Sequence, residues 1–597
     1  MTTSLAHRGP DGESFWNNSS HNVLFGHRRL SIIDLSVRGS QAMHYLNRYT
    51  IIYNGEIYNY LEIKDELQKR GYSFTSRSDT EVILASFDCY GESCLDLFDG
   101  MFSFAIWDEK EQTLFAARDR FGEKPFYYVH DVPGNFLAFG SEMKALKAAG
   151  IESSIDPKKL LLYLGLGYTD DALHTDATFY NNIRQLPPAH FLFYHLPEKK
   201  LRIQQYWELD KQNQISISEN EAIEKFYALL SGSIKRRLRS DVPIGTSLSG
   251  GLDSSAITAL ISDHAEQGAT RKTFSIVFPG FQKDESVYVQ KVANAFGLEN
   301  YSETPTAEGF AKDFQTLLYH HEAPISSASV YLQYKVFELA KRNDVKVLLD
   351  GQGADETLAG YTRYIHWYLQ ELLGANRFSE FIHEKRRLSA NGVPFNWSVK
   401  NYAAAKFSGL ANRKLDQRRF KAISRNIDFE PEFLNQQLDE KLIYRPPVSK
   451  LNDVLYFDTC RVGLPGLLRY ADRNSMAHGT EVRLPFLSHE LVQFVFSLPS
   501  NYKIHNGWTK WLLRKAIETK LPKEIVWRRE KIGFEPPQKS WMEHGLLKEF
   551  LYESKKSLVK DRILKPAVLD KKNQPHDAYA ADGLDWRYLV AGQLLNQ

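Results

Sequence analysis

The chain has 597 residues, too many for one compact domain, and its 75 lysines and arginines nearly balance 73 aspartates and glutamates, leaving a formal net charge of +2. Hydrophobic residues make up 43%, which excludes a chain disordered throughout, and the balanced charge gives no overall field that would recruit nucleic acid or an anionic membrane. The sequence has no apolar run of about 18 residues, so no membrane span is expected. Three cysteines, Cys89, Cys94 and Cys460, are too few for a disulfide framework and predict a cytoplasmic protein.

Short segments rich in β-branched and aromatic residues predict a β-rich layered domain from Asn22 to about Tyr194. Two helical patterns lie between the strands, and each is followed directly by a glycine that ends the helix, Gly71 and Gly91. A sheet with segregated helices is typical of the α+β class. The predicted strands are Asn22–Ile33, Thr50–Tyr53, Met101–Trp107, Thr113–Arg118, Phe126–Tyr128 and Phe136–Gly140, and the predicted helices are Asn59–Arg70 and Asp79–Tyr90.

The polar stretch Pro197–Asn220 is predicted to be a linker because it has no sustained hydrophobic period. After it, strands and helices alternate, which indicates a doubly wound parallel sheet of the α/β class. From about Tyr361 to Gln597 the sequence is mainly helical and charged. Between the predicted linker and Tyr361, the predicted helices are Glu221–Arg239, Ser254–His264, Ser286–Phe296 and Val330–Arg342, and the predicted strands are Val242–Leu248, Thr273–Phe278 and Val345–Leu349.

The stretch 244–255, Ile-Gly-Thr-Ser-Leu-Ser-Gly-Gly-Leu-Asp-Ser-Ser, indicates an anion-binding loop between a strand and a helix. Two adjacent glycines let several main-chain N–H groups point at one ligand, and the first turn of the helix adds its own unpaired N–H groups. The serines supply hydroxyl donors, and Asp253 can hold a metal ion. The sequence lacks the GxxxxGK[ST] pattern of a Walker A loop. A glycine turn with a serine cap is the structural alternative.

A second loop, in the stretch 345–356, again places glycines and carboxylates after a strand: Val-Lys-Val-Leu-Leu-Asp-Gly-Gln-Gly-Ala-Asp-Glu. Ligands of open α/β sheets bind at the carboxyl edge, near the switch point of the strand order. Asp253 and Asp355 are therefore expected to converge on one Mg²⁺ across a bound pyrophosphate. An ordinary charge pair of Asp355 and Glu356 at a helix start is the alternative.

Several motifs in one order resemble asparagine synthetase of the glutamine-hydrolysing kind along nearly the whole chain, and the first loop resembles the pyrophosphate loop of N-type ATP pyrophosphatases. These motifs are independent of one another, and they lie in both halves of the chain. The motifs of the synthetase half are Ser249–Ser255, Asp350–Glu356 and Asp472–Leu487, and those of the glutaminase half are His7–Asp11, Arg29–Asp34, Tyr53–Asn59 and Ser78–Glu81.

This resemblance implies two domains and a two-step reaction. Residues 1–200 would form a glutamine amidotransferase domain of type 2, an Ntn-hydrolase-like α+β sandwich incomplete at its N-terminus. Residues 215–597 would form the α/β adenylating domain, a doubly wound parallel sheet with a helical C-terminal region. Aspartate and MgATP would give β-aspartyl-AMP and pyrophosphate, and ammonia, delivered from glutamine through a tunnel, would displace AMP. The implied partners are aspartate, ATP, glutamine or ammonia, with no nucleic acid and no membrane; a homodimer is left open.

The family's motifs also assign residues of the adenylating site. Asp253 and Asp355 would bind Mg²⁺, and Lys510 would stabilise charge on the transferring phosphate, the alternative being a solvated helix lysine. Gln352 stands where the family commonly has a glutamate suspected of being the general base; an amide cannot accept the proton but can orient the intermediate. The residues assigned to ATP are Leu248, Ser249, Gly250, Gly251, Asp253, Ser254, Ser255, Ile276, Asp350 and Gly351.

In the other half, the resemblance implies a glutamine site. Arg29 would pair with the α-carboxylate of glutamine and Asp79 with its α-amine. Asn54 and Gly55 would form the oxyanion hole, and Glu56 is assigned to the same site. Without the resemblance, each of these residues is ordinary turn chemistry.

Family members begin Met-Cys-Gly-Ile, and the exposed cysteine is their nucleophile. This chain opens close to the His7 motif, so the first strand and helix of the fold are also expected to be missing, for which a wrongly chosen start is the simplest explanation. Cys89 and Cys94 are expected to be structural. Since loss of a nucleophile costs on the order of 10⁶ in kcat, this polypeptide is expected to use ammonia rather than glutamine.

Two other classes of function remain open. A related amide-forming cyclase, of the β-lactam or lasso-peptide type, uses a similar adenylating half, but it has no need to keep Arg29, Asn54 and Asp79. A non-catalytic scaffold is the second alternative, and the presence of Asp253 and Lys510 argues against it.

Overall fold

The strands form two groups, one before residue 206 and the other after residue 243. The structure, a computed structural model, describes residues 1–597 except 132, 135, 265–271, 394, 407, 444–447, 449, 530–532, 581 and 597. In the part of the chain so described, no helix is both long and apolar enough to cross a membrane.

The first half is built on a six-stranded antiparallel sheet of order β11-β10-β6-β5-β4-β3, beside the hairpin β1-β2 and the antiparallel sheet β8-β7-β9. Its strands are β1 (Gly12–Asn17), β2 (Leu24–Arg29), β3 (Met43–Tyr45), β4 (Tyr49–Ile57), β5 (Gly100–Asp108), β6 (Thr113–Arg118), β7 (Tyr127–Asp131), β8 (Phe136–Gly140), β9 (Arg184–Gln185), β10 (His190–His195) and β11 (Lys200–Gln205). Its helices are α1 (Tyr60–Lys69), α2 (Asp79–Tyr90), α3 (Met143–Ala148) and α4 (Pro157–Leu166).

Alternation along β5 explains the layers of this half. Phe104 and Ile106 pack into the same apolar cluster as Val82 and Ile83 of α2. Their neighbours Ala105 and Trp107 face the other way, into a cluster with Phe25 and Phe126 on the side of the smaller sheets. Because side chains of a strand alternate between its two faces, one strand can join both layers. The predicted α+β sandwich is confirmed.

The second half contains a five-stranded parallel sheet of order β14-β13-β12-β15-β16, with β12 at its centre. Its strands are β12 (Ile244–Ser247), β13 (Lys272–Ile276), β14 (Glu299–Glu303), β15 (Val347–Leu349) and β16 (Glu481–Arg483), followed by the hairpin β17 (Ile504–His505) and β18 (Trp508–Thr509).

Helices cover both faces of this sheet. Leu348 and Leu349, adjacent in β15, pack into two different cores, one on each face. The helices are α5 (Glu219–Arg237), α6 (Leu252–His264), α7 (Ser286–Phe296), α8 (Ala307–His321), α9 (Ser329–Arg342), α10 (Ala354–Thr357), α11 (Thr362–Gly374), α12 (Phe378–Ala390), α13 (Val399–Lys406), α14 (Ser408–Ser424), α15 (Pro431–Gln437), α16 (Leu451–Cys460), α17 (Leu464–Ala477), α18 (His489–Ser497), α19 (Trp511–Ala516), α20 (Lys523–Val526), α21 (Gln538–Trp541), α22 (Gly545–Lys560) and α23 (Leu584–Leu595). The predicted doubly wound parallel sheet and the helical C-terminal region are confirmed.

The strand order places the two predicted loops side by side. The chain runs from β12 outwards through β13 and β14, then returns to add β15 and β16 on the other side of β12. The switch point therefore lies between β12 and β15, and the loops after these two strands meet at one edge of the sheet.

Most predicted elements lie within a few residues of the observed ones, but the linker prediction is wrong in part. Residues 200–205, inside the predicted linker Pro197–Asn220, form the edge strand β11, which pairs with β10. The error has a physical cause: five of the six residues of β11 are exposed, so the strand lacks the apolar alternation by which a strand is recognised. The strand starts at residue 200, the predicted end of the first domain, and continues to residue 205. The domain boundaries stay predictions.

The two halves share one apolar cluster. Leu160 and Leu164 of α4 lie in the same core as Leu369 of α11 and Leu589 of α23. The contact is extended by a hydrogen bond of 3.0 Å from the Tyr163 hydroxyl to the carbonyl of Ile325. Helix α4 therefore lies in the first half of the sequence, but its leucines are part of the apolar core of the second half.

Buried ion pairs also join the halves. Arg8 donates two hydrogen bonds of 2.8 Å to the carboxylate of Asp472 and one of 2.9 Å to Glu142. Arg473 lies 2.8 Å from Glu142 and 3.0 Å from Glu322, and its side chain is 1% exposed. Burial alone would raise the pKa of Glu142, but Arg473, His7 and Arg8 hold it well below its usual range. These buried ion pairs connect Arg8 and Glu142 of the first half with Asp472, Arg473 and Glu322 of the second.

Candidate functional site

The first loop is shaped by glycines and closed by serine hydroxyls. Gly250 has φ of 72°, and a Cβ there would lie 2.7 Å from the Cβ of Tyr288, so only glycine fits. Ser249 Oγ lies 3.1 Å from Ser254 Oγ and accepts a hydrogen bond of 3.2 Å from the N–H of Gly251. The loop leads directly into α6, whose 13 residues begin at Leu252. Its N–H groups and hydroxyls can bind an anion at the helix start.

The second loop touches the first. A Cβ on Gly351 would lie 3.0 Å from the Cβ of Asp253 and 3.3 Å from the N of Ser254. Asp350 accepts a hydrogen bond of 2.6 Å from the N–H of Gly351, and burial raises the pKa of its carboxyl. The main-chain N–H of Asp350 donates to the carbonyl of Arg483 in β16. Strands β15 and β16 thus hold the second loop against the first.

Lys510 lies between the two predicted metal ligands. Its Nζ is 2.5 Å from Asp253 Oδ2 and 2.5 Å from Asp355 Oδ1, and Lys510 is 5% exposed. Burial alone would lower the pKa of Lys510, but Asp253 and Asp355 raise it, so the ammonium form persists. The alternative of a solvated helix lysine is wrong. The two aspartates, predicted to converge from separate loops, do lie around one cation.

The other predicted residues of this site differ in which of their atoms can contact a ligand. Gln352 Oε1 and Ser255 Oγ are buried without a hydrogen-bond partner among the described residues, so both can serve a ligand. Leu248 is 1% exposed, with its side chain in the core, and its main-chain N–H bonds to Phe274, so only its main chain can line the site. Ile276 ends β13 at the same edge of the sheet and is 8% exposed. The roles of these residues stay predictions.

The predicted glutamine-site residues line one cavity of about 510 Å³. Gly55 in β4 has φ of 148°, and a Cβ there would lie 2.1 Å from the carbonyl oxygen of Met101, so glycine is required. The side-chain Nδ2 of Asn54 is buried without a hydrogen-bond partner in the described part of the chain, as an oxyanion donor awaiting a ligand would be. The predicted residues in this lining are Arg29, Asn54, Gly55, Glu56 and Asp79.

Two buried carboxyl groups, those of Glu56 and Asp79, line this cavity. Asp79 accepts hydrogen bonds of 2.8 Å from the Tyr53 hydroxyl and 2.9 Å from the N–H of Ile57, and burial raises the pKa of its carboxyl to about 6. Burial, Asp79 and Glu481 raise the pKa of Glu56 well above its usual range. Burial thus disfavours ionisation of both carboxyls, and a cationic ligand group such as an amine would favour it.

Arg29 lies in the same cavity but bonds to its own loop. Its guanidinium donates to the carbonyls of Ser36, at 2.9 Å, and Asp34. Burial lowers the pKa of Arg29. The arginine is thus held in place at the cavity wall, where its charge can reach an anionic group of a ligand.

The three cysteines lie away from this cavity. Cys94 is fully buried and Cys89 and Cys460 are partly buried, and all three are unpaired. Burial raises the pKa of the Cys94 thiol and raises that of Cys460 to about 12, which makes both poor nucleophiles. None of the three is among the described residues that line the cavity.

Three structural residues of these sites carried no signal in the sequence. A Cβ on Gly360 would lie 1.8 Å from Asp355 Oδ1 and 2.2 Å from Lys510 Cε, although a lone glycine in a helical region predicts nothing. Tyr288 covers Gly250, and the Arg528 guanidinium lies 3.7 Å from its ring centroid. Such contacts depend on how distant segments pack.

Arg483 links the two sites. Its side chain is buried and lies 3.4 Å from Glu56 in the glutamine cavity and 2.8 Å from Glu481. Its main-chain carbonyl accepts the hydrogen bond from Asp350 in the second loop. The motif Asp472–Leu487 contains Arg483, but only the fold shows that the residue faces the first half.

An amidotransferase half beside an adenylating half defines a class of enzyme that moves nitrogen onto an activated carboxyl group. Residues 225–591 match the family model "Asparagine synthase", and residues 1–207 match the model "Glutamine amidotransferase domain". The chain belongs to the asparagine synthase family.

Curated relatives extend along most of the chain. Asparagine synthetase [glutamine-hydrolyzing] 3 of Bacillus subtilis is 32% identical over 89% of this chain and 82% of its own length. Putative asparagine synthetase [glutamine-hydrolyzing] 2 of Methanocaldococcus jannaschii is 35% identical over 75% of this chain and 85% of its own. Amidase chry2 of Gibberella zeae is 27% identical over 90% of this chain and 84% of its own.

Proposed function

We propose that this protein converts aspartate to asparagine in two steps driven by ATP. The observation that carries the proposal is the convergence of Asp253, Asp355 and Lys510 beside the loop of Ser249 and Gly250. A pyrophosphate-binding loop next to a fixed cation is suited to cleavage between the α- and β-phosphates of ATP. Membership of the asparagine synthase family supports aspartate as the carboxylate that is activated.

In the first step, an oxygen of the aspartate side-chain carboxylate attacks the α-phosphorus, and the bond to the β-phosphate breaks. The loop N–H groups and the hydroxyls of Ser249 and Ser254 would bind the leaving pyrophosphate. The ammonium of Lys510 would offset its growing negative charge. The products are β-aspartyl-AMP and pyrophosphate.

The chain offers a donor set that fits Mg²⁺. Mg²⁺ in such sites is typically held by one or two carboxylates together with substrate phosphates, and Asp253 and Asp355 already converge on one cation, the ammonium of Lys510. These two residues would hold the ion, which when bound supplies positive charge to the phosphates.

In the second step, ammonia attacks the acyl carbon, the bond to the AMP oxygen breaks, and the nitrogen loses a proton. Gln352 cannot take this proton, because an amide has no basic site at neutral pH. Its buried Oε1 can accept a hydrogen bond from the attacking nitrogen and orient it. The carboxylate of Glu356, which accepts a hydrogen bond of 2.6 Å from the Tyr361 hydroxyl, and the phosphate oxygens are the proton acceptors on offer.

For the polypeptide with the printed sequence we propose ammonia as the nitrogen donor. The cavity that contains Arg29, Asn54 and Asp79 supports glutamine binding, but none of the three cysteines lies among its described lining residues. A glutamine-site nucleophile is thus not supplied by Cys89, Cys94 or Cys460. The unpaired cysteines also favour a reducing compartment, the cytoplasm. A homodimer and the lack of a nucleic-acid partner stay predictions from the sequence.

The test is a product assay with the purified 597-residue protein, MgATP, aspartate and either ammonium or glutamine. We expect asparagine, AMP and pyrophosphate in equal amounts with ammonium, and none or far less with glutamine. Asp253→Asn should lose pyrophosphate formation, whereas Lys515→Met, at a residue of α19 that pairs with Glu518, should retain it. Absence of pyrophosphate under both conditions refutes the proposal, and pyrophosphate formed only with another carboxylate would favour the cyclase alternative.

A further inference from the structure

Lys510 fills the position that a metal ion would take between the two aspartates. Its Nζ is 2.5 Å from an oxygen of each carboxylate, and the side chain is buried. Mg²⁺ coordinates oxygen at about 2.0–2.1 Å, so an ion bound to both carboxylates would need nearly the same point in space. Ammonium and metal ion therefore compete for one position.

We propose that Lys510 is an internal cation that keeps free magnesium out of the site, so that the metal ion enters together with ATP while the ammonium moves onto a phosphate. The inference rests on the proposed function, because it takes Asp253 and Asp355 as the metal ligands. It adds an order of events and a second role for the lysine: before the nucleotide binds, Lys510 offsets one of the two negative charges of the metal ligands, and afterwards it offsets one charge of the nucleotide.

Charge favours this exchange. Without nucleotide, two carboxylates and one ammonium leave the cluster with a single negative charge, and a divalent ion entering beside the ammonium would meet its repulsion at close range. The triphosphate of ATP brings several negative charges, which give the ammonium a new partner as the metal ion takes its place. The lysine side chain has four rotatable bonds, so its Nζ can move by several ångströms without a change in the main chain.

The surrounding backbone allows little other adjustment. Lys510 itself has φ of 53°, at the start of α19, and a Cβ on Gly360 would collide with both Asp355 and the lysine side chain. Gly351 approaches Asp253 in the same way from the second loop. Since the main chain holds both aspartates close to one point, the movement falls to the lysine side chain.

A role confined to phosphate charge predicts that removal of Lys510 weakens binding of the nucleotide and pyrophosphate. The exchange adds a second prediction: without nucleotide, a variant lacking the ammonium should bind a divalent ion more tightly. The gain in metal affinity tests the exchange separately from the phosphate role.

The experiment uses Mn²⁺ as a probe, with the free ion measured by electron paramagnetic resonance in nucleotide-free protein. For the parent protein we expect no site tighter than about 1 mM, and for Lys510→Met and Lys510→Gln one site per chain that is at least about tenfold tighter. Lys515→Met should behave like the parent, and the double variant Lys510→Met with Asp253→Asn should lose the gained site.

A second measurement needs no substitution. In the parent protein, a non-cleavable α,β-methylene analogue of ATP should raise Mn²⁺ affinity well beyond that of the analogue alone in solution. Tight Mn²⁺ binding by the nucleotide-free parent, or no gain in either Lys510 variant with a native circular-dichroism spectrum, overturns the inference. Failure of the proposed function appears separately, as absence of pyrophosphate from the parent with aspartate, ammonium and MgATP.

Discussion

Asp79 provides a quantitative test of the glutamine cavity. Its carboxylate is buried, accepts hydrogen bonds from Tyr53 and Ile57, and has a pKa raised by burial to about 6. A folded-state pKa above the unfolded value means that the folded protein favours the protonated form. This stabilising contribution is present below about pH 4, is lost as the pH rises towards 6, and is absent at pH 7 and above.

The size of the effect follows from the two pKa values. The folded and unfolded values differ by about 2.2, and at 1.36 kcal/mol per pKa unit the ionised carboxylate costs about 3 kcal/mol at neutral pH. Asp79→Asn replaces the carboxylate by a neutral amide whose oxygen still accepts a hydrogen bond. Because the unfolded carboxyl is already partly ionised at pH 4, we expect the stability of the variant relative to the parent to rise by about 2.4 kcal/mol between pH 4 and pH 8.

The assay is urea unfolding of parent and variant, followed by tryptophan fluorescence and circular dichroism at pH 4, 6 and 8. Asp65→Asn, at an exposed position of α1, is the matched control and should give no such pH dependence. A stability difference between Asp79→Asn and the parent that stays constant within about 1 kcal/mol across this range would refute the reasoning. So would a difference that falls with pH.

Three further substitutions test other parts of the molecule. Gly360→Ala should displace Asp355 and Lys510 and lower pyrophosphate formation by at least about 100-fold with an unchanged circular-dichroism spectrum, while Gly232→Ala, where a Cβ meets nothing, should be active. Arg473→Met removes the cation paired with buried Glu322 and one of the cations around Glu142, and should cost about 3–5 kcal/mol at pH 7, measured by urea unfolding; a loss below about 1 kcal/mol would contradict the buried ion pairs. Gly55→Ala, with its Cβ 2.1 Å from a carbonyl oxygen, should abolish glutamine binding in calorimetry and lower the unfolding midpoint, and unchanged binding would show that the main chain can yield there.

The sequence predicted those parts of the fold and the candidate site that depend on local pattern. Strand β6 and helices α2 and α7 have the predicted bounds, because their apolar period and flanking turn residues agree. The two loops were predicted to converge because parallel strands end at a common edge, and the glycines and serines of the first loop have the geometry expected of an anion site.

The remaining features depend on contacts between residues far apart in sequence. Arg8 and Asp472 are 464 residues apart, and Lys510 and Asp253 are 257 apart, so no local period could indicate either pair. Edge strand β11 was missed because its side chains are mostly solvated, which removes the apolar alternation that identifies a strand. Packing, rather than propensity, decides these features.

The shared core around α4 limits how the protein can be divided in the laboratory. A fragment ending near residue 207, where the amidotransferase match stops, would retain α4 and expose Leu160 and Leu164 to water in place of the contact with α23. Exposed apolar surface drives aggregation, so such a fragment would form inclusion bodies unless the second half is co-expressed with it. The end of the family match at residue 207 is therefore not the end of a unit that folds on its own.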